Sequence, residues 1–249
     1  MIFLDEEAVK SLLGYKVLVD ELREIYCDDG MFADRVFFDL DPIEKGSGNC
    51  LAVMPACGPG HDITTKIFTL FPKNYKNNIP TINALIIVFD AKTGVPKAIV
   101  DGTEVTKRRT SAMSALASSY MSREDSELLL ICGSGALAPH AALAHADLRP
   151  IREVAIWARN KEAAENTANI IRLERSDLKV NVSDDLEASC GWADIISCQT
   201  SSPDPLVYGS WVKEGTHLDF VGSHTPDKRE CDDDVVRGSR IFVDVMDSA

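Results

Sequence analysis

Two rhythms of apolar residues run through the chain. From Glu6 to Asp28, Val9, Leu12, Leu13, Val17, Leu18, Leu22 and Ile25 recur at helical spacing, which predicts one amphipathic helix. Extended segments then follow at 36–40, 50–55, 62–71, 81–90 and 96–101. Turn-formers separate them at Gly46-Ser-Gly48, Cys57-Gly-Pro-Gly60, Lys73-Asn-Tyr-Lys-Asn-Asn78 and Lys92-Thr-Gly94. The stretch Thr81–Asp90 is apolar enough for a buried strand. Arg109 to Tyr120 is rich in small residues and predicts a closely packed helix with Arg109 at its start.

From about residue 124 strands and helices alternate. Strands are expected at the apolar run ending in Cys132, at 154–157, 179–182, 193–199 and 217–221, and a last one at 240–245. Helices are expected after Gly135, from Glu162 and at 185–189, with a helix or turn at 208–212. This order predicts an α/β fold: a Rossmann-type, doubly wound and mostly parallel sheet over residues 121–249, beside an α+β domain over 1–120.

The first strand of the second domain ends in Gly133-Ser134-Gly135-Ala136-Leu137-Ala138. A strand, a tight turn and a helix start in that order suit a dinucleotide pyrophosphate. Gly133 permits the turn, Gly135 lets phosphates approach the backbone, and Ala138 lets the helix pack close to the strand. The helix N-terminus offers N–H groups and partial positive charge, and Pro139 fits its first turn. About twenty residues past such glycines an NAD site carries an acidic residue for the ribose hydroxyl. Here Arg159 and Asn160 occupy that position, followed by Lys161. A cation suits a 2′-phosphate, so NADP(H) is favoured, with NAD(H) as the alternative.

The net charge of −13 argues against nucleic acid as a partner, because phosphate binding needs a basic footprint. No apolar run approaches the roughly 18 residues of a membrane span. The start, Met1-Ile-Phe-Leu-Asp-Glu-Glu7, lacks the basic region of a signal peptide. Seven scattered cysteines without CxxC pairs read as reduced cytosolic thiols, with no disulfide framework and no metal site. A cytoplasmic protein is expected.

Against this acidic background, basic residues of the first domain stand out. Lys66 lies inside the apolar Ile63–Leu70, Arg35 borders an extended run, and Arg109 is expected at a helix N-terminus, where the dipole disfavours it. Cations converging on one place would grip a carboxylate.

Longer motifs accompany these residues: Thr106-x-x-Arg109-Thr110-x-Ala112-x-Ser114-Ala115-Leu116-Ala117, Lys66-x₅-Pro72-x-Asn74, Phe89-Asp-Ala-x-Thr-Gly94, Gly133-x-Gly135 and Val221-Gly-Ser-His-Thr-Pro-Asp-Lys-Arg-Glu230. Their order along nearly the whole chain resembles the ornithine cyclodeaminase/mu-crystallin family. The resemblance implies a homodimer, with a substrate and dimerisation domain beside the Rossmann domain. It implies substrate-carboxylate ligands at Arg35, Lys66 and Arg109, although the proline that often precedes the first is absent, and a substrate-pocket threonine at Thr81. It implies cofactor contacts at Thr110, at Gly133, Ser134, Gly135, Ala136 and Leu137, at Arg159 and Asn160, and at Thr200, Val221 and Gly222 near the nicotinamide.

Two departures qualify the match. The family's cyclodeaminases meet the substrate amine with an aspartate where this chain has His224, an imidazole suited to acid catalysis near neutral pH. The family also runs on for tens of residues past Val243-Asp-Val-Met-Asp-Ser-Ala249, so the chain reads as a truncated product lacking the return segment. The resemblance, with His224 in place of the aspartate, implies reduction of a small cyclic imino acid such as 1-pyrroline-2-carboxylate, with Lys66 and His224 as catalytic candidates. The alternatives are ornithine cyclodeamination, an open-chain imino- or oxo-acid dehydrogenase, and a non-catalytic binding protein of the mu-crystallin type.

Overall fold

The computed structural model describes residues 1–27, 31, 32, 34–41, 43, 45–77, 79–223 and 227–244. The chain divides into two compact units, Met1–Arg109 and Thr110–Ala249.

The first unit is built on a mixed sheet. Its strands are β1 (Ile2–Leu4), β2 (Met31–Phe32), β3 (Val36–Asp39), β4 (Cys50–Cys57), β5 (Ile63–Leu70), β6 (Ile82–Phe89) and β7 (Pro96–Asp101). They lie in the order β1-β7-β6-β5-β4-β2, with β3 also on β4. From β4 to β7 the strands form an antiparallel meander, while β1 pairs with β7 in parallel. Two sequence motifs prove to be turn chemistry. Asp90 Oδ1 accepts from the N–H groups of Lys92 and Thr93 and from the Thr93 hydroxyl, and Gly94 follows at φ 69°. Asn74 Nδ2 donates to the Pro80 carbonyl at 3.0 Å and closes the β5–β6 connection.

The single helix expected over Glu6–Asp28 is two helices, α1 (Glu6–Leu12) and α2 (Tyr15–Ile25), with residues 28–30 outside the described residues. Leu13 leaves the helical region at ψ 65° and Gly14 is extended at ψ 150°. Both halves keep an apolar face, with Val9, Tyr15 and Val19 buried. Periodicity therefore survives a break that it cannot reveal.

Helix α3 spans Gly102–Met121. Its start is set by Asp101, whose Oδ1 accepts from Glu104 N at 2.7 Å, and by Gly102. A Cβ on Gly102 would come within 2.9 Å of the Ala84 backbone, so only glycine lets the helix begin against β6. The expected start at Arg109 is thus corrected. Arg109 lies well inside the helix, so dipole strain at an N-terminus cannot explain its placement.

The second unit carries a parallel sheet of β8 (Leu128–Cys132), β9 (Glu153–Trp157), β10 (Lys179–Val182), β11 (Ile195–Cys198) and β12 (His217–Phe220). The order is β10-β9-β8-β11-β12. Helices α4 (Ala138–Leu148), α5 (Lys161–Glu174), α6 (Leu186–Trp192) and α7 (Asp233–Gly238) complete it. On one face Leu129, Ile131, Ile156 and Ile195 pack against the small residues Ala138, Ala141 and Ala142 of α4 and against Ala164, Ala168 and Ile171 of α5. On the other, Leu130, Cys132, Ile196 and Cys198 meet Trp192, Val207, Trp211 and Val235. Burial on both faces explains why Leu128–Cys132 reads as an unbroken apolar run.

The strand expected at 240–245 is absent: 240–244 form no strand, and Val245 is outside the described residues. The nearest regular element is α7, which sequence reading missed. Asp232 caps it by accepting from Val235 N at 2.9 Å.

Candidate functional site

In the first unit the sheet register gathers the basic residues. Lys66 on β5 pairs with Met54 on β4 and Ile86 on β6. Val36 pairs with Val53, so Arg35, one position earlier, falls in line with Met54 and hence with Lys66. Arg109 comes from α3, whose N-terminal end packs on β6 and whose Thr103 hydroxyl accepts from Ala84 N at 2.9 Å. Arg35 and Arg109 are exposed, whereas Lys66 is half-buried with its ammonium 4.8 Å from the centroid of the Phe68 ring. Burial, with the nearby guanidiniums of Arg109 and Arg35, brings the Lys66 ammonium down to about 8. Three cations thus converge, an arrangement complementary to an anionic ligand. Thr81 is half-buried just before β6, and its carbonyl accepts from Phe71 N at 2.8 Å.

The neighbouring cations Lys107 and Arg108 do structural work instead. Both pair with the buried Glu104, at 3.1 and 2.8 Å, and Arg108 also donates to the Leu13 carbonyl and covers the Tyr15 ring. Sequence alone does not separate Arg108 from Arg109. The burial of Glu104 on the same helix does.

In the second unit the sheet order places a topological switch between β8 and β11, where ligands of open α/β sheets bind. Gly133 leaves β8 at φ 122°, and its N–H donates to the Trp157 carbonyl at 2.8 Å. A Cβ there would sit 2.8 Å from the Gln199 carbonyl oxygen, so glycine is required on both counts. A Cβ on Gly135 would meet nothing within 4 Å, and both Gly135 and Ala136 are exposed. Ser134 and Leu137 are half-buried, and the Leu137 carbonyl begins the α4 ladder by accepting from Ala141 N at 2.9 Å. Open space in front of an eleven-residue helix, with Pro139 in its first turn, fits a pyrophosphate.

At the end of β9, Arg159 is exposed and makes no ion pair among the described residues. Asn160 caps α5, its side chain accepting from Ala163 N at 3.1 Å. Thr110 is half-buried within α3. His224 lies outside the described residues.

Thr200 follows β11, and Val221 and Gly222 follow β12. Between them sits Glu230, to which sequence reading gave no role. It is buried (1% exposed), and its carboxylate accepts from Thr200 N and Oγ1 at 2.7 Å each and from Gly222 N at 2.8 Å. Burial pushes this carboxyl up, against those donors. Its position in the charged run Asp227–Asp234 makes it look like one more solvated acid.

A second hidden group lies between α4 and β12. Ser197 Oγ donates to Asp219 at 2.6 Å and accepts from Gln199 Nε2 at 2.8 Å, with the buried His145 3.7 Å from Asp219. Nearby, burial lowers His217 to about 4.

Comparison with known proteins follows the same lines. A model of the ornithine cyclodeaminase/mu-crystallin family matches residues 16–249. A Delta(1)-pyrroline-2-carboxylate reductase of Colwellia psychrerythraea is 34% identical over 247 residues, covering 99% of this chain and 78% of the relative. The structure of the Thermococcus litoralis Delta(1)-pyrroline-2-carboxylate reductase in complex with NADH and L-proline aligns at a TM-score of 0.86 and 27% identity, covering 96% of this chain and 74% of that one. An archaeal alanine dehydrogenase dimer with bound NAD aligns at 0.87 and 26% identity, covering 100% of this chain and 75% of that one.

Proposed function

The chain belongs to the ornithine cyclodeaminase/mu-crystallin family, and on that premise we propose that it is a nicotinamide-dependent reductase of a small cyclic imino acid, 1-pyrroline-2-carboxylate or a similar ketimine. The observation that carries this reading is the convergence of Lys66, Arg35 and Arg109 in the first unit. It is supported by the activity of the Colwellia relative, a Delta(1)-pyrroline-2-carboxylate reductase, and by the L-proline held in the Thermococcus structure, since proline is the product of that reduction.

In this reading the pyrophosphate is held by the turn Gly133–Leu137 and the N-terminus of α4, and the nicotinamide is bordered by Thr110, Thr200, Val221 and Gly222. When bound, the reduced nicotinamide supplies the hydride that the imine carbon accepts. The protein's own residues do the rest. Arg109 and Arg35 bind the substrate carboxylate through charge-assisted hydrogen bonds, and Thr81 lines the pocket. Lys66 contributes a further donor to the carboxylate. Held near 8, its ammonium is mostly protonated at neutral pH and still acidic enough to protonate the imine nitrogen. Positioning accounts for most of the protein's contribution.

Arg159, exposed and in no ion pair among the described residues, stands where an acidic residue would select NAD, which supports NADPH as the preferred cofactor. The archaeal alanine dehydrogenase is a dimer, which supports a homodimer here.

The test is incubation of the full chain with NADPH or NADH and a panel of cyclic imines, open-chain oxo acids with ammonia, and ornithine with NAD⁺, followed at the absorbance of the reduced nicotinamide. Oxidation of NADPH with a cyclic imine, and none with the others, is expected. Turnover of ornithine to proline and ammonia would overturn the reading.

A further inference from the structure

We propose that Glu230 is the positioning residue of the nicotinamide half of the cofactor site, its buried carboxylate tying the segment after β11 to the segment after β12. The inference rests on the reading in which Thr200 and Val221–Gly222 border the nicotinamide.

Strands β11 and β12 are paired as far as Cys198 and Phe220, and Val221 N still donates to the Cys198 carbonyl at 3.1 Å. Beyond those bonds the N–H groups of Thr200 and Gly222 need another partner. Glu230 supplies it. One carboxylate oxygen accepts both the N–H and the hydroxyl of Thr200, and the other accepts Gly222 N. The Thr200 hydroxyl, having donated, accepts from Ser202 N at 3.3 Å and fixes the next residue as well.

Glu230 is itself held on both sides. Its N–H donates to Ser223 Oγ at 3.1 Å, and its carbonyl accepts from Leu206 N and Val207 N at 3.0 Å each. A parallel bridge between Val207 and Cys231 continues that attachment. The side chain of Glu230 thus ties residue 200 to residue 222, and its backbone anchors that link to 206–207 and 223.

The steric fit around it is close. A Cβ on Gly222 would fall 1.6 Å from the Thr200 carbonyl oxygen and 2.7 Å from a Glu230 carboxylate oxygen. Gly222 is thus the residue that lets the two backbones meet with the carboxylate beside them.

The chemistry requires a carboxylate. Three donors converge on two oxygens, so every nearby atom of the side-chain head must accept. Glutamine of the same size offers one oxygen and one NH₂, and either orientation sets donor against donor. Among the described residues, Gly133–Leu137 and the end of β9 make no hydrogen bond to Glu230, and Gly133 meets the segment it holds only by packing against Gln199 and Thr200. Glu230 therefore bears directly on the nicotinamide half of a dinucleotide and on the other half only through that packing.

The experiment compares wild type and Glu230→Gln, as full chains, for binding of NADH and NADPH by fluorescence and of ADP-ribose and its 2′-phosphate by calorimetry. Glu230→Gln is expected to weaken the dinucleotides about tenfold, the scale of a buried acceptor lost, and the nicotinamide-free probes less than about twofold. Equal weakening of both ligand sets would show a merely structural role and overturn the proposal, as would unchanged dinucleotide binding. If Glu230→Gln does not fold, Ser223→Ala removes only the acceptor of the Glu230 N–H. It must show the same split in smaller measure, and no split overturns the proposal. Failure of the wild type to bind either dinucleotide would overturn the functional reading, and this inference with it. Wild-type binding with no split would overturn this inference alone.

Discussion

Raising the pH should switch off substrate capture through Lys66. The side chain is half-buried on β5, and burial with the two guanidiniums lowers it from 10.5 to about 8. At pH 7 roughly nine-tenths of the ammonium is charged, and at pH 9 only about one-tenth. If the charged form binds the carboxylate and protonates the imine, kcat/KM falls about tenfold per unit above pH 8, because this ratio reports the free enzyme. Two variants separate Lys66 from other causes. Lys66→Arg keeps the charge that binds the carboxylate but cannot release a proton in this range, so the maximum is much lower and the alkaline limb disappears from the activity that remains. Arg109→Ala removes one of the two positive charges that lower Lys66, so the limb moves upward while the Michaelis constant rises. The substrate's own imine titration is common to all three proteins and cancels in the comparison. The assay is initial-rate NADPH oxidation between pH 6 and pH 10 at constant ionic strength. A wild-type profile flat to pH 10, or a limb unmoved in Lys66→Arg, refutes the reasoning. The sign for stability is opposite. Between about 8 and the ordinary lysine value the unfolded chain binds more protons, so Lys66 itself makes the fold gain stability as pH rises through that window.

Further outcomes follow from the second unit. Gly133→Ala combines a strained positive φ with a Cβ 2.8 Å from a backbone oxygen, and should cost about 1–3 kcal/mol in denaturant unfolding while abolishing dinucleotide binding. Arg159→Ala should weaken NADPH in a fluorescence titration and leave NADH unchanged; equal effects on both would remove the case for NADPH. Asp194 pairs with Arg123 at 2.8 Å and Lys213 at 3.0 Å and accepts the N–H groups of Glu127 and Leu128. Burial raises its carboxyl, but these partners outweigh it and hold the group at about 2, so its contribution is present above the usual carboxylate value and lost as pH falls towards 2. Asp194→Asn should lower the Tm at pH 7 and narrow the gap to wild type in acid. Light scattering at micromolar concentration should give the mass of a homodimer, and a monomer would refute that assignment.

Features that depend on local chain chemistry are legible in the residues themselves. Glycine at 133, small residues at 138, 141 and 142, and the apolar run to Cys132 specify strand, turn and helix, because each requirement acts within a few residues. Lys66 stood out because a charge inside an apolar strand is costly unless it is used. Local signals also misled. The periodicity of Glu6–Asp28 continues across the break at Leu13–Gly14, because both helices turn an apolar face inward. The start of α3 was misplaced at Arg109, because the close approach of Gly102 to Ala84 is a contact across 18 residues of chain.

Register and burial sort charges that look alike in the sequence. Lys107 and Arg108 are tied to buried Glu104, and Arg109 lies near enough to Lys66 to lower its ammonium. Glu230 is one acid in an acidic run until the ends of β11 and β12 bring three donors to it. Burial and convergence are properties of strand order and register. The order β10-β9-β8-β11-β12 brings Thr200, Gly222 and Glu230 together from three separate segments, and no periodicity within any one of them encodes that meeting.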